Sequence, residues 1–586
     1  MRRGISMIIK RLAAAALALL CLPLAACGRK APANAAPDYS DGMTYAETLF
    51  DASRVHEIDV SVSEEDWADL KANARLKTKY VSSVTIDGER IGNVAFSAKG
   101  NTSLAFVADR QDCDRYSFKL NFGKYVDGQT YRGLNKLNLN NAYADATYMK
   151  DCISYEIFRE AGVAAPLTSY VWLTVNGKAH GLYIAVEDVS ESFLDRALNG
   201  EGELYKPETD RLDNVNASPQ QGGERPGGQP GQQPGQPGQP GQQPAGSPGA
   251  PRPPQEGQVF PGQSETPGQG FPGQGENPGQ GFPGQSENPG QGLPGQSFPG
   301  QGENPGGGRD SGASLKYTDD ELSSYSDIFD NDVTSADAEA NARVVGALKG
   351  ICSGRDAESF IDADALCRYF AAHNFVLNYD SYTGNMLHNY YLYENGGKLT
   401  MLPWDYNLAF GSFIGGGAEE LVNCGIDSPL SGAVEEDRPM WAAIANDEAL
   451  TRLYHGALEE LIEGYFESGR FRRSIEQKHE LIAPYVKKDP SAFYTAEEFE
   501  RAYEMLGSFC EKRAASVRLQ LDGGLAGVTS EQDAKARIDC TGIDISVMGS
   551  HGGGNQGGGP GGNGQGFPGG NGQGFPGGSG GPGGRP

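Results

Sequence analysis

The chain has 586 residues, among them 83 glycines and 35 prolines, and a formal net charge of −27. Most of the glycine and proline falls in two tracts that cannot bury a core, which leaves roughly 400 residues to fold, enough for one large domain or two medium ones. The acidic balance runs through the foldable regions and excludes nucleic acid as the main partner, because phosphate binding needs a basic face.

Residues 1–26 have a basic start, a short apolar run and small residues at the end, the layout of a secretory signal. The apolar run from Leu12 to Ala26 is short for a transmembrane helix. LAAC at 24–27 resembles the bacterial lipobox, so cleavage before Cys27 and lipidation of its thiol are expected. Residues 27–50 then form a tether, and the protein is expected on the outer face of the cell membrane, anchored through several acyl chains. Loss of Cys21 and lipidation of Cys27 leave seven scattered cysteines, which suggest neither a disulfide framework nor a CxxC zinc site.

A strand-rich half spans 51–215. Alternating runs at 57–63, 79–87 and 115–123 read as strands, and ATYMKDCISYEIFREAG reads as a helix closed by Gly162. Runs at 169–175 and 180–187 flank the turn NGK and predict a hairpin, followed by a helix near 190–198 and the segment GELYKPE. Residues 216–313 form an insertion of PGQ-type repeats, expected to be disordered because proline removes donors and glycine is costly to order. Breaks in the triplet phase at Gln232 and Gln233 argue against collagen. GQGFPG at 268–273 and GGSGG at 577–581 match catalytic patterns by composition only, since neither has a strand or helix around it.

Residues 314–525 read as helix-rich, with helices near 336–349, 363–379, 437–466, 470–486 and 495–520 and one hairpin, NYYLY and KLTML around ENGG. A short segment, 526–549, precedes a glycine-rich tail, 550–586, expected to be disordered. The fold class expected is α+β, with a ligand site between the halves. The acidic run at 318–332 lacks EF-hand spacing and reads as solvated surface, and the histidines form no zinc motif. Tyr390, Tyr391, Tyr393 and Trp404 read as hairpin packing.

Three residues stand out. Asp380 opens the polar loop DSYTGN after a helix, Asn385 follows five residues later, and Asp405 follows the apolar strand MLPW across the hairpin. Two carboxylates and an amide at the ends of neighbouring elements suit a hard cation such as magnesium shared with phosphate. The spacing is similar to the phosphoryl-transfer residues of protein kinases, although the usual HRD and DFG words are missing and His373 lies too far upstream to replace the first histidine.

Seven words occur in order: KGNTS (99–103), YSFKLNF (116–122), the long run 134–163, the run 175–194, LYKPE (204–208), NYDSYTGNMLHNYYLY (378–393) and PWDYNLAFG (403–411). On these the chain resembles the CotH kinase family, the spore coat protein H proteins, as a lipoprotein member. The resemblance implies a divergent protein-kinase-like two-part fold, split here by the PGQ insertion. It implies transfer of phosphate from ATP to serine or threonine of a protein, with Mg2+ or Mn2+. Asp380 is then the catalytic aspartate, Asp405 and Asn385 hold metal, and Lys119, Lys99 and Lys206 contact nucleotide phosphates. Two departures stand against the family pattern: Asn407 replaces the last aspartate of WDYD, and KGNTS has lysine where arginine is commoner. A degenerate copy acting as an adhesin or matrix-binding module is the alternative reading. Ser264, Thr266 and Ser286 in the insertion offer hydroxyls for phosphorylation in cis.

Overall fold

The computed structural model describes residues 43–110, 112–208, 312–354, 356–413 and 416–549. The signal, Cys27, nearly all of the PGQ insertion and the glycine-rich tail lie outside these residues.

After a short helix α1 (Tyr45–Thr48), the first half builds β1 (Val55–Val62), α2 (Glu64–Ala72), β2 (Tyr80–Ile86), β3 (Glu89–Lys99), α3 (Thr102–Ala108), β4 (Ser117–Asn121) and β5 (Lys136–Asn140). Helix α4 (Lys150–Glu160), β6 (Thr168–Val175), β7 (Lys178–Glu187), α5 (Glu191–Leu198) and β8 (Glu203–Tyr205) complete it. The NGK hairpin forms as expected, with Asn176 and Gly177 both at positive φ (51° and 71°), the turn that matches strand twist.

The expectation of a kinase-like two-part fold is overturned. Seven strands close into a barrel in the order β1-β2-β3-β4-β5-β7-β6. Closure comes from a parallel pairing of β1 with β6, from Val55 beside Tyr170 to Val60 beside Val175. No local periodicity encodes a pairing between strands more than a hundred residues apart. Nor are the two halves separate lobes: the described residues pack as one unit. Ile58, Val84, Phe96, Phe118, Leu137 and Leu173 fill the barrel, while Tyr170, Leu182, Ile184 and Val186 on the other face of β6 and β7 join the core of the helical half. Strand β7 is therefore buried on both faces, which explains its near-continuous apolar run.

The second half adds α6 (Ser326–Phe329), α7 (Ala338–Cys352), α8 (Ala363–Val376), β9 (Tyr390–Asn395), β10 (Lys398–Pro403), α9 (Ala418–Val422), α10 (Pro439–Ala445), α11 (Glu448–Leu461), α12 (Arg470–Val486) and α13 (Ala496–Leu521). The long helix expected over 437–466 is broken, because Asp447 caps a new helix by accepting from the Ala449 and Leu450 amides. Strands β10, β9 and β8 form a second sheet, so the two halves share strands across the insertion. Among the described residues, no helix is long and apolar enough to cross a membrane.

Candidate functional site

Helix α8 starts at its Asp362 cap and stops at Val376, where Leu377 turns left-handed at φ 53°. Two of its last carbonyls are then taken by a distant segment: Phe410 N–H donates to Val376 O (2.6 Å) and Gly411 N–H to Leu377 O (3.2 Å). That docking, together with Asn378 Nδ2 donating to the Asp405 carbonyl (3.3 Å), brings the Asp405 segment to the loop that carries Asp380.

The Asp380 side chain is 13% exposed and lies 3.2 Å from His388 Nε2. Asn389 Nδ2 donates to its Oδ2 (3.1 Å) and to its carbonyl (2.7 Å). Burial would lower the pKa of His388, but the hydrogen bond and charge of Asp380 and the charge of Asp405 outweigh it, so His388 titrates above the usual range. Its ring contact in this loop is with the Asp380 carboxylate. The loop is pinned from behind by Arg438, which donates to the Tyr382 carbonyl (2.6 Å) and the Gly384 carbonyl (2.5 Å).

Asp405 has φ +57°, a left-handed conformation that L-residues adopt at a cost, and its amide donates to the Tyr155 hydroxyl (2.9 Å). Around it the barrel wall contributes a charged chain. Lys99 ends β3, with its Nζ 5.5 Å from the Trp404 ring centre and donating to Asn140 Oδ1 (2.7 Å). Asn140 Nδ2 donates to Asp151 Oδ2 (2.9 Å), and Asp151 Oδ1 accepts from the Tyr406 amide (3.2 Å). Burial first, and then the Asp405 charge, push the Asp151 carboxyl up to about 7. Burial lowers the pKa of Lys99 although Asp405 and Asp151 pull it the other way. Next along the wall, Lys119 pairs with Asp188 at 2.7 Å, and Asn138 donates to the same oxygen at 2.8 Å. Burial alone would raise Asp188, but the Lys119 charge and these hydrogen bonds hold it below the usual carboxylate range.

Among the described residues, no three His, Cys, Asp or Glu side chains form a metal cage by themselves. A magnesium ion needs only one or two carboxylates when phosphate supplies the rest. Asp405 fits that case, with Asp151 behind it: Asp151 Oδ1 accepts from the amide of Tyr406, the residue after Asp405, and the Asp405 charge adds to burial in raising Asp151, a repulsion a cation would relieve.

The sequence matches the family described as CotH kinase protein over residues 96–236 and 297–517, more than half of its length. The chain belongs to the CotH kinase protein family. It is 20% identical over 413 residues to inner spore coat protein H of Bacillus subtilis, covering 70% of this chain and 83% of that protein. It is also 27% identical over 93 residues to the inner spore coat protein H-like protein of the same organism, covering 16% of this chain and 29% of that one.

In this CotH family member, Lys99 and Lys119 stand on neighbouring strands of the barrel wall, Lys99 lies over Trp404 beside Asp405, and Asn378 ties the loop of Asp380 to the Asp405 carbonyl. Asn385 is exposed, its amide against Gly432, and the amide that reaches Asp380 is Asn389. Lys206 follows β8 and pairs with Glu208. Asn407, the departure in WDYN, donates to the Tyr143 carbonyl at 3.4 Å. Sequence reasoning missed His388, Asn389, Asp151, Asp188 and Asn140. Asp151 carried no signal in the sequence; in the fold, residues Lys150–Tyr155 of α4 are buried all round, so its charged members face partners inside the protein.

Proposed function

We propose that the chain is an atypical protein kinase that transfers the γ-phosphate of ATP to serine or threonine of a protein outside the cell membrane. Family membership supports the reaction class, and one observation carries the reading: Lys99 lies over Trp404, next to Asp405, and is linked through Asn140 to Asp151 and the Tyr406 amide, while Asn378, two residues before Asp380, donates to the Asp405 carbonyl. Asp380 accepts the hydroxyl proton as the substrate oxygen bonds to the γ-phosphorus and the bond to the β-phosphate oxygen breaks, releasing ADP. His388 and Asn389 hold that carboxylate in place. Lys99 and Lys119 neutralise phosphate charge. Asp405, with Asp151 behind it, would hold magnesium, which when bound supplies further neutralisation of the phosphates.

The test is transfer of labelled γ-phosphate by the purified chain with magnesium or manganese. Label should appear with the parent and vanish in Asp380→Ala and Asp405→Ala. No transfer together with no nucleotide binding would overturn the reading. The closed barrel in place of two lobes favours a second one, a surface-binding module, in which both variants retain affinity for a cell-surface partner.

A further inference from the structure

Alternate side chains of β3, β4 and β5 face away from the barrel core, since Phe96, Ala98, Phe118, Leu120, Leu137 and Leu139 face into it. Pairing stacks the outward residues in rungs. Lys99 lies beside Ser117, Ser97 beside Lys119 and Asn138, and Ala95 beside Asn121 and Lys136. Successive rungs are about 6.8 Å apart, and the first is the one next to Asp405.

The outer rungs open into a groove of about 320 Å³ lined by Lys79, Lys119, Lys124 and Lys136 with Ser97 and Asn121. Four lysines around one concavity are unusual for a chain of net charge −27. Lys119 is held by Asp188, and Lys136 lies 3.5 Å from the exposed Glu191. Lys79 and Lys124 are exposed, and among the described residues no ion pair holds either. Apolar surface flanks them: Val81 is 51% exposed beside Ala95, and Tyr125, 41% exposed, donates its hydroxyl to the Lys79 carbonyl (2.8 Å).

We propose that this groove docks an acidic segment of the protein substrate and leads its hydroxyl residue to the Asp380 and Asp405 end. An extended peptide repeats its side chains on one face at the spacing of the rungs, so Glu, Asp or phosphoserine at alternate positions meets the lysines in register. The proposal rests on the kinase reading and adds to it a substrate class, acidic serine-containing segments. A concave, donor-lined groove suits a peptide better than a lipid surface.

The experiment is fluorescence anisotropy of a labelled peptide with alternating Glu and Ser, titrated with the full chain in the absence of nucleotide. Binding should weaken several-fold from about 50 to about 200 mM salt and fall at least about tenfold for Lys79→Glu/Lys124→Glu, while Lys178→Glu on the β6–β7 turn leaves it unchanged. Equal binding of the Gln-for-Glu peptide, or an equal loss with Lys178→Glu, overturns the proposal. So does complete displacement of the peptide by ATP with magnesium, which assigns the groove to nucleotide. Lysine-dependent binding to phosphatidylglycerol vesicles without peptide binding would make it a membrane face and also overturn it. Peptide binding without phosphate transfer leaves the docking groove standing and removes the kinase reading. Transfer to acidic and neutral peptides at equal rates does the reverse.

Discussion

The Nδ1 of His373 lies 2.7 Å from the Tyr406 hydroxyl. Its other ring nitrogen lies 2.8 Å from the Thr383 hydroxyl, so one neutral imidazole joins the loop of Asp380 to the segment of Asp405. The residue has no place in the kinase words, yet it is the strut between the two carboxylate-bearing segments.

Burial lowers the His373 pKa to about 3, against about 6.5 in the unfolded chain. Between these values the unfolded state binds the extra proton, so stability is complete above about pH 6.5 and is lost as pH falls, by about 1.4 kcal/mol per unit. Asp151, raised to about 7, contributes the opposite slope over part of this range, so the His373 contribution is read from urea melts between about pH 8 and about pH 4.5 as the difference between the parent and a His373 variant. His373→Gln should be less stable near neutrality and its profile flatter by about one proton. Parallel profiles would exclude His373 as the responsible group.

Lys119 has two roles that mutation can separate. It satisfies Asp188, which is 5% exposed, and it faces the groove at 36% exposed. Lys119→Met leaves a buried carboxylate with only Asn138 and should cost about 1–3 kcal/mol. Asp188→Asn added to it should restore most of that stability. Nucleotide affinity, measured by calorimetry, should stay low in the double variant. Recovery of affinity along with stability would make Lys119 purely structural.

Local chemistry made much of the scaffold legible. The NGK and ENGG turns forecast two hairpins, and α12 and α13 fall close to their expected bounds. Asp380 and Asp405 were visible because each ends an element with a clear period. The barrel was not, since the pairing of Val55 with Tyr170 is a long-range fact with no local signature. Asp151 and Asp188 were hidden for a similar reason. Each gains its meaning from a partner on another element, Asn140 and Lys119 respectively, and neither spacing nor composition marks it.

Gly181 is fixed by a buried ion pair. It sits at φ +117°, and a Cβ there would lie 2.1 Å from Asp489 Oδ1 and 2.7 Å from Arg115 Nη1. Those two groups form a fully buried pair at 2.9 Å, and Asp489 also accepts from the Leu182 amide, so neither can move aside. Gly181→Ala should therefore cost more than about 3 kcal/mol and depress Tm sharply. Gly92→Ala, with nothing within 4 Å of its added methyl, should be neutral or stabilising by up to about 1 kcal/mol. Similar Tm values for the two variants would refute the role given to Arg115 and Asp489.

The insertion is joined to the chain beside the candidate site. On one side the Glu208 amide donates to the Asp327 carbonyl (3.0 Å). On the other, Tyr390 donates to the Ala313 carbonyl (2.6 Å) and Tyr382, two residues after Asp380, to the Ser314 carbonyl (3.3 Å). Ser264, Thr266 and Ser286 lie outside the described residues but between these two anchors in sequence. We propose that they are phosphorylated in cis, because hydroxyls carried on the same chain as the site react intramolecularly, at an effective concentration independent of the protein's own. Mass spectrometry after incubation with ATP should find phosphate between residues 216 and 308. The fractional rate should not change on tenfold dilution of the protein, since an intramolecular reaction is first order. A rate that falls in proportion to dilution would mean transfer between molecules, and an unmodified insertion would remove it as a substrate.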